Sequence, residues 1–262
     1  MVNAVAISPN RPFRAATVSD DTQLVFYHGP PFRFNSVSRN HTKFVYDVAF
    51  SPDGKTLASV GADAKVFLYD GKTGESKGAL KTDNDHTGSI FAVGWDKSNA
   101  KLITASADQT VKLWDVEAGK VVQYSPSQYL PNSRTWTFAS GMSIPHQQVG
   151  VLFTSSSAAP IVSLSLSGTL NYLEPSSQRP IRTVEGHQKP INALGTTHDY
   201  KTIFTGSYDG RVCAWDVASG NAEVISENGG GIVQFTASEK AAWSISQDDI
   251  LKDIDIGKLS LG

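Results

Sequence analysis

The chain consists of short apolar runs, rich in β-branched and aromatic residues, that alternate with clusters of turn-forming residues. Runs such as VYDVAF (45–50) and VFLYD (66–70) are followed by turn signals, SPDG (51–54) and KTG (72–74). No stretch of about 11 to 18 residues keeps a helical period of apolar positions. The pattern therefore predicts an all-β chain built from many short strands.

One segment of this pattern recurs. TASADQTVKLWD (104–115) returns as TGSYDGRVCAWD (205–216) and, more loosely, as SVGADAKVFLYD (59–70). In each unit a histidine precedes an aspartate by 22 residues, a hydroxyl residue lies four before that aspartate, and an aromatic residue lies six after it. Such fixed internal spacing indicates a repeat architecture. The three sets are His41, Ser59, Asp63 and Tyr69; His86, Thr104, Asp108 and Trp114; and His187, Thr205, Asp209 and Trp215.

These units resemble the WD40 repeat, whose signature is GH…WD and whose β-propeller blades have four antiparallel strands. GH occurs at Gly186-His187, and WD occurs at Trp114 and Trp215, each followed by aspartate. The resemblance implies that each repeated aspartate lies in the tight turn between the second and third strands, where the histidine hydrogen-bonds to it. The hydroxyl and the aromatic residue extend this network and satisfy buried polar groups. We interpret the twelve residues as a structural WD network without a catalytic role.

Three further units are degenerate. The first keeps the hydroxyl residue Thr17, the turn aspartate Asp21 and the aromatic residue Tyr27. The last keeps only the hydroxyl residue Ser244 and the turn aspartate Asp248. In the last unit Ser226 and Ile254 replace the histidine and the tryptophan. Residues 121–175 contain SLSLSGTLNYLE (163–174), and for the preceding insertion (125–148) we expect an ordered excursion around Trp136 and Phe138. Six units with incomplete outer members predict a piece of a longer array.

Composition and charge argue against several classes of function. The 262 residues are 40% hydrophobic and 18% charged with a net charge of −2, which argues against a broad nucleic-acid or anionic-membrane surface. No apolar run approaches a membrane span, no secretory leader is recognisable, and the single cysteine, Cys213, permits no internal disulfide. No HExxH, Walker, Cys-x-x-Cys or G-x-S-x-G motif is present. We expect a cytoplasmic protein that is not an enzyme and that carries no cofactor or metal.

Residues outside the repeat signature carry a more specific resemblance. The segments SDDTQLVFYHGPPFRF (19–34), HTKFVYDVAFSPDG (41–54), HQQVGVLF (146–153), SLSGTLNYLE (165–174) and EGHQKPI (185–191) closely resemble the actin-interacting protein 1 family. Members of that family are longer and fold as two propellers. The resemblance covers essentially the whole chain. It implies that residues 1–175 form later blades of a first propeller, with 121–175 a degenerate blade carrying the insertion. Residues 176–262 would open a second propeller, with a hinge near EPSSQRP (174–180).

The resemblance also implies a function. Members of the family promote disassembly of cofilin-decorated actin filaments by binding, so actin filaments and cofilin become the expected partners and cortical actin patches the expected location. The residues that match the family's actin and cofilin surface are Asp20, Arg33, Phe34 and Phe44. Asp20 stands beside the turn aspartate Asp21 and is expected to point outward. Arg33 and Phe34 are expected in a loop that Gly-Pro-Pro keeps off the strand path, and Phe44 in the loop leading into the next strand.

Each of these residues has a structural alternative. Because Phe32 and Phe34 alternate around Arg33, at least one of the two rings can belong to the core. Phe44 can instead pack at the edge of its blade, and Asp20 can serve as a second turn cap.

Two other functions remain open at this point. One is a generic WD40 scaffold of a multiprotein complex, of the ubiquitin-ligase or trafficking type, which would use other residues of the rim. The other is an enzyme built in a propeller channel, which requires converging acids or histidines on the innermost strands. Incomplete propeller edges would in addition favour self-association of the chain.

Overall fold

A computed structural model describes residues 1–80, 85–117, 120–121, 135–138, 143–156, 160–177, 179–197, 199–237, 241–248 and 250–255. Within these ranges the chain forms 24 β-strands and one short 3-10 helix (Ile144–His146). The all-β expectation is confirmed.

Twelve strands and the short β13 make up the first half of the chain. They are β1 (Val2–Ile7), β2 (Arg14–Ser19), β3 (Leu24–His28), β4 (Arg33–Ser38), β5 (Val45–Phe50), β6 (Thr56–Gly61), β7 (Val66–Asp70), β8 (Ser76–Leu80), β9 (Ile90–Trp95), β10 (Lys101–Ser106), β11 (Thr110–Asp115), β12 (Lys120–Val121) and β13 (Thr135–Thr137). The others are β14 (Gln148–Phe153), β15 (Ile161–Ser165), β16 (Thr169–Leu173), β17 (Arg182–Glu185), β18 (Ile191–Thr196), β19 (Thr202–Ser207), β20 (Arg211–Asp216), β21 (Ala222–Glu227), β22 (Ile232–Ala237), β23 (Ala241–Ser246) and β24 (Leu251–Asp255).

Strands that follow one another in the chain pair with each other and form six sheets. These are β1–β4, β5–β8, β9–β12 with β13 added, β14–β17, β18–β21 and β22–β24. The paired strands are antiparallel, so each sheet is a meander joined by short turns. This is the arrangement of WD40 blades that the repeat spacing predicts.

The core lies on the faces of these sheets, around their second and third strands. In β6 and β10 five of six residues are buried, and β15 and β16 are buried throughout. A strand covered on both faces loses strict apolar–polar alternation, which explains why these segments read as continuous apolar runs. The fourth strands are more exposed, as the pattern of β4 and β8 shows.

The turns between second and third strands share one backbone feature. The residue directly after the repeated turn position has a positive φ, which for a residue with a side chain carries a steric cost. In five sheets this residue is Thr22 (69°), Ala64 (60°), Gln109 (64°), Gly168 (87°) and Gly210 (81°). In these five sheets, intact and degenerate alike, the turn therefore shares a left-handed residue at the same position.

The chain divides into two compact units, Met1–Val151 and Leu152–Gly262. In the first unit, one apolar cluster joins the first and second sheets and another joins the second and third. In the second unit a cluster joins the fifth and sixth sheets. The segment 174–180 connects β16 to β17 of one sheet. The proposed propeller boundary at 175/176 stays a prediction.

Arg182 ties two sheets of the second unit together. From β17 its guanidinium donates to the carbonyl oxygens of Val217 (2.9 Å), Ala218 (3.3 Å) and Ser219 (2.9 Å), which lie in the turn after β20. The guanidinium carbon also lies 4.0 Å from the centre of the Tyr172 ring. One side chain thus satisfies three carbonyl groups of the neighbouring sheet.

The third sheet departs from its neighbours in its fourth-strand region. β12 pairs with the end of β11, and β13, which lies within the insertion predicted for the degenerate unit, pairs with the beginning of β11. Trp136 is buried in β13 and belongs to the third sheet. Residues 122–134 and 139–142 lie outside the described residues. SLSLSGTLNYLE contains β15, a turn and β16, as its pattern predicts.

Candidate functional site

The repeated histidines and aspartates meet in the structure, one pair at an edge of each intact sheet. The histidine side chains are fully buried or nearly so. The Nδ1-to-Oδ2 distances are 2.9 Å for His41 and Asp63, 2.8 Å for His86 and Asp108, and 3.0 Å for His187 and Asp209. The backbone N–H of the residue after each histidine also donates to the aspartate, at 3.0 Å in all three sheets: Thr42, Thr87 and Gln188.

In the third sheet the network continues into the core. The indole Nε1 of Trp114 is 2.8 Å from Thr104 Oγ1, which is 2.7 Å from His86 Nε2. An indole nitrogen can only donate, so the Thr104 oxygen accepts from Trp114. Asp108, whose pKa is lowered, is ionised and can only accept, so His86 carries its proton on Nδ1 and donates it to Asp108. In the neutral ring Nε2 is then an acceptor, and Thr104 donates its hydroxyl hydrogen to it. Burial lowers the pKa of His86 although Asp108 opposes this shift, which favours the neutral ring.

The other two networks have the same connections. Thr205 Oγ1 is 2.7 Å from both Trp215 Nε1 and His187 Nε2, and Ser59 Oγ is 2.7 Å from His41 Nε2 and 3.3 Å from the Tyr69 hydroxyl. Burial alone would raise the pKa of each aspartate. Hydrogen bonds from the histidine and from backbone N–H groups outweigh it, so the pKa of each lies below its ordinary value: Asp63, Asp108 and Asp209. Every polar atom along these chains has a partner, and the histidine rings are closed to solvent.

In the sixth sheet the buried hydroxyl residue lacks the histidine and the aromatic partner of the other networks. Ser244 occupies the hydroxyl position and is fully buried, and its Oγ has no hydrogen-bond partner among the described residues. The positions that would supply a histidine and an aromatic residue hold Ser226 and Ile254. A buried hydroxyl without a partner costs about 1–3 kcal/mol, so this repeat keeps its turn at a cost in stability.

Asp20 does not extend freely from its turn. Asn3 on β1 donates from Nδ2 to Asp20 Oδ1 (2.8 Å) and to the Val45 carbonyl (2.8 Å). The hydrogen bond from Asn3 lowers the pKa of Asp20, whose side chain is 39% exposed. The neighbouring Asp21 accepts from the Gln23 N–H (3.2 Å) and caps the turn. Asn3, 17 residues from Asp20, is not marked by any repeat motif.

Phe44 lies near Asp20 and Asn3. It directly precedes β5, its ring is 50% exposed, and its carbonyl accepts from the Ala62 N–H at 2.8 Å. Because Asn3 bonds both Asp20 and the residue that follows Phe44, Asp20 and Phe44 share one edge of the first two sheets. We name Asp20, Asn3 and Phe44 the turn-edge group.

The loop expectation for Arg33 and Phe34 is wrong. They are the first two residues of β4, where Arg33 pairs with His28 and Phe34 with Tyr27. The Gly-Pro-Pro segment ends before them, because residues 29–32 complete the turn and release the chain into the fourth strand. Both side chains are exposed, Phe34 by 65%.

The structure does not unite the four predicted residues. Leu24, next to the Asp20 turn, pairs with Ser38 at the far end of β4. Five strand steps of about 3.4 Å place Arg33 roughly 17 Å from that end. Asp20 and Phe44, which precedes β5 of the second sheet, therefore lie near one end of the first sheet, and Arg33 and Phe34 lie at the other end.

One carboxylate on a first strand was not indicated by the repeat. Asp47 on β5 accepts the N–H of Val48 (2.8 Å) and of Val93 on β9 (2.9 Å), and thus joins neighbouring first strands. Burial raises the pKa of Asp47 to about 6, and the two N–H donors only partly offset this.

In the part of the chain that the structure describes, no group of three or more His, Cys, Asp or Glu residues is arranged to hold a metal ion. None of the described helical residues forms a span long and apolar enough to cross a membrane.

Comparison with known sequences agrees with this geometry. The WD40 pattern (WD domain, G-beta repeat) matches residues 33–70, 78–115 and 178–216. Each match begins with the fourth strand of one sheet and ends with the third strand of the next. The antiparallel sheets, the three histidine networks and these matches define a WD40-repeat protein.

The relatives are more specific. The chain is 41% identical to WD repeat-containing protein 1 of Xenopus tropicalis over 87% of this chain, and 40% identical to that of Gallus gallus over the same share. It is 38% identical to Actin-interacting protein 1 of Drosophila melanogaster over 97% of this chain. These identities over most of its length make the chain a homologue of those proteins. It spans 36–40% of their length.

Proposed function

We propose that this chain binds actin filaments and promotes the disassembly of cofilin-decorated filaments, by contact and without covalent chemistry. The proposal rests on the similarity to a protein named Actin-interacting protein 1 over 97% of this chain. WD40-repeat proteins generally act as platforms for protein–protein interaction, which supports a binding role. Because the chain spans well under half of its relatives, the activity of the whole protein is carried over only as a proposal.

Exposed aromatic residues support a contact surface on the first two sheets. Phe34 and Phe44 expose half or more of their surface, and Arg33 is exposed beside Phe34. Aromatic rings and arginine dominate interface hot spots, where truncation typically costs about 2 kcal/mol or more. Since Arg33 and Phe34 lie at the opposite end of the first sheet from Asp20 and Phe44, we propose that the two sets make separate contacts with the cofilin-decorated filament.

Co-sedimentation tests the proposal. The chain is mixed with actin filaments, with and without cofilin, and variants Phe44→Ala and Arg33→Ala/Phe34→Ala are compared. The matched control is Tyr208→Ala, which removes an exposed aromatic ring (44% exposed) from the second unit. We expect the chain and the control to pellet only when cofilin is present, and each site variant to pellet at least about tenfold more weakly.

Two results would count against it. A folded chain that stays in the supernatant with cofilin-decorated filaments would favour the generic WD40 scaffold instead. Site variants that pellet like the control would show that these residues are not the contact. Thermal unfolding of each variant, recorded beforehand, separates loss of contact from loss of fold.

The proposed function also includes a cellular location of the protein and an association between copies of the chain. A fluorescent fusion is expected in the cytoplasm at cortical actin patches, and dispersal of the patches should release it. The exposed apolar side chains of β1 would favour pairing of two copies: Val2, Val5 and Ile7. Light scattering across a range of chain concentrations tests this, and a constant monomer mass would contradict it.

A further inference from the structure

A cleft opens at the end of the first sheet that faces away from the turn-edge group. It has a volume of about 490 Å³ and lies between the β1–β2 loop and the β3–β4 turn. Its lining combines one arginine, one aromatic ring and a Gly-Pro segment: Arg11, Pro12, Phe13, Gly29 and Pro30. Neither the repeat pattern nor the four predicted contact residues include any of these.

The two walls of the cleft are held together by hydrogen bonds. The Gly29 N–H donates to the Phe13 carbonyl (3.2 Å), which links the walls directly. Arg14 donates to the carbonyls of Pro12 (2.9 Å) and of Lys72 in the next sheet (2.9 Å). Gly29 is required there, because a Cβ at this position would lie 2.4 Å from the Phe32 backbone. A preformed cleft reduces the ordering cost of binding.

The lining offers both an apolar surface and a positive charge. The Arg11 guanidinium carbon lies 5.5 Å from the centre of the Phe13 ring, and both prolines are exposed. Phe32, just beyond the turn, exposes 45% of its surface. An arginine next to an aromatic ring is a frequent element of binding hot spots.

The charge on the first sheet around the cleft is positive. Arg11, Arg14 and Arg33 lie at this end of the sheet, and residues 1–19 and 22–38 contain no aspartate or glutamate. The two acids of the first sheet, Asp20 and Asp21, lie at its opposite end. In the second sheet's turns Asp53 and Asp70 form ion pairs with Lys55 (3.3 Å) and Lys77 (3.4 Å), and Glu75 accepts from Thr73. The field at the cleft therefore favours an acidic partner.

We propose that this cleft binds an acidic protein segment that carries an apolar side chain. The apolar side chain packs against Phe13 and the prolines, and a flanking carboxylate pairs with Arg11. The lining residues differ from the four proposed actin-contact residues, although Arg33 and Phe34 begin the strand that follows the β3–β4 turn. The peptide-binding test contains no actin and does not depend on those contacts.

A labelled acidic peptide with one central phenylalanine tests the proposal by fluorescence anisotropy with the full chain. We expect saturable binding, weakened about tenfold by Arg11→Glu and by replacing the peptide's phenylalanine with alanine. The matched control is Arg39→Glu, which makes the same charge change at an exposed arginine beyond the other end of β4. In amide NMR spectra the peptide should shift the Phe13 and Gly29 signals.

Each opposite result overturns the proposal. Equal weakening by Arg11→Glu and Arg39→Glu would show a diffuse charge effect and no cleft. Equal binding of the alanine peptide would remove the apolar contact, and absence of saturable binding would remove the site. Because Arg11 is exposed, its variant should fold, and thermal unfolding checks this. Phe44→Ala, at the opposite end of the first sheet, should leave peptide binding unchanged, and a loss of peptide binding in this variant would contradict the proposed place of the site.

Discussion

Replacing Thr104 with valine is the sharpest test of the histidine network. The change keeps the shape of the side chain and removes only the hydroxyl that connects Trp114 to His86. Thr104 is fully buried, and both partners are buried too. The variant thus leaves an indole N–H and an imidazole nitrogen without partners in the core of the third sheet.

The expected loss follows from those two atoms. Each buried polar group left without a partner costs about 1–3 kcal/mol, so Thr104→Val should lower the free energy of unfolding by about 2–6 kcal/mol. That is a large share of the roughly 5–15 kcal/mol by which a domain is stable. Thr104→Ser keeps the hydroxyl, as Ser59 does in the second sheet, and should cost only about 1 kcal/mol for the lost methyl group.

Urea unfolding, followed by circular dichroism, measures the difference. The control is Thr137→Val, the same chemical change at an exposed position on β13 of the same sheet, where we expect an effect within about 0.5 kcal/mol. Hydrogen exchange at the Trp114 indole gives a local measurement and should be faster in Thr104→Val alone. If Thr104→Val unfolds at the same urea concentration as Thr137→Val, the hydroxyl does not connect the network and the reasoning fails.

Four further predictions concern the same scaffold. The pKa of His86 in an NMR titration should lie below the ordinary value of 6.5, because burial lowers it; a midpoint at or above 6.5 would contradict the buried, neutral ring. The pKa of Asp47 is about 6 in the folded chain against an ordinary value of 3.8, so its contribution to stability falls as pH rises from about 4 to 6. The free energy of unfolding of Asp47→Asn relative to the wild type should therefore be higher at pH 7 than at pH 4, and an equal difference at the two pH values would refute this. Ala64→Gly should stabilise by about 1 kcal/mol in thermal unfolding because φ is positive there, whereas Gly210→Ala should destabilise, since its Cβ would lie 2.4 Å from a carbonyl oxygen. Arg182→Met should cost about 2 kcal/mol or more in urea unfolding through three lost hydrogen bonds, and an unchanged midpoint would show that the clamp is not stabilising.

The blades and the network were predictable because both depend on local spacing. The separation of 22 residues between histidine and aspartate spans one loop and one hairpin, whose lengths fix where the two side chains meet. The same spacing marks the turn that holds the positive φ in the first sheet, whose repeat keeps only the hydroxyl, the aspartate and the aromatic residue.

The candidate contact surface was only partly predictable. Phe34 and Phe44 are exposed as the family resemblance implies, but Arg33 and Phe34 are strand residues and lie away from Asp20. A Gly-Pro-Pro segment shows that the chain turns, yet it does not show how soon pairing with β3 resumes.

The sequence by itself determined the all-β class and the blade-forming repeats, because short-range periodicity fixes hairpins. The resemblance to the WD40 repeat added the partners of each repeated histidine. Only the tertiary structure decided that Asn3 holds Asp20, that Thr135–Thr137 joins the third sheet, and that Arg11 and Phe13 form a cleft with Gly29. Those contacts join segments whose separation follows no repeat, so packing in three dimensions, and no periodic pattern, brings them together.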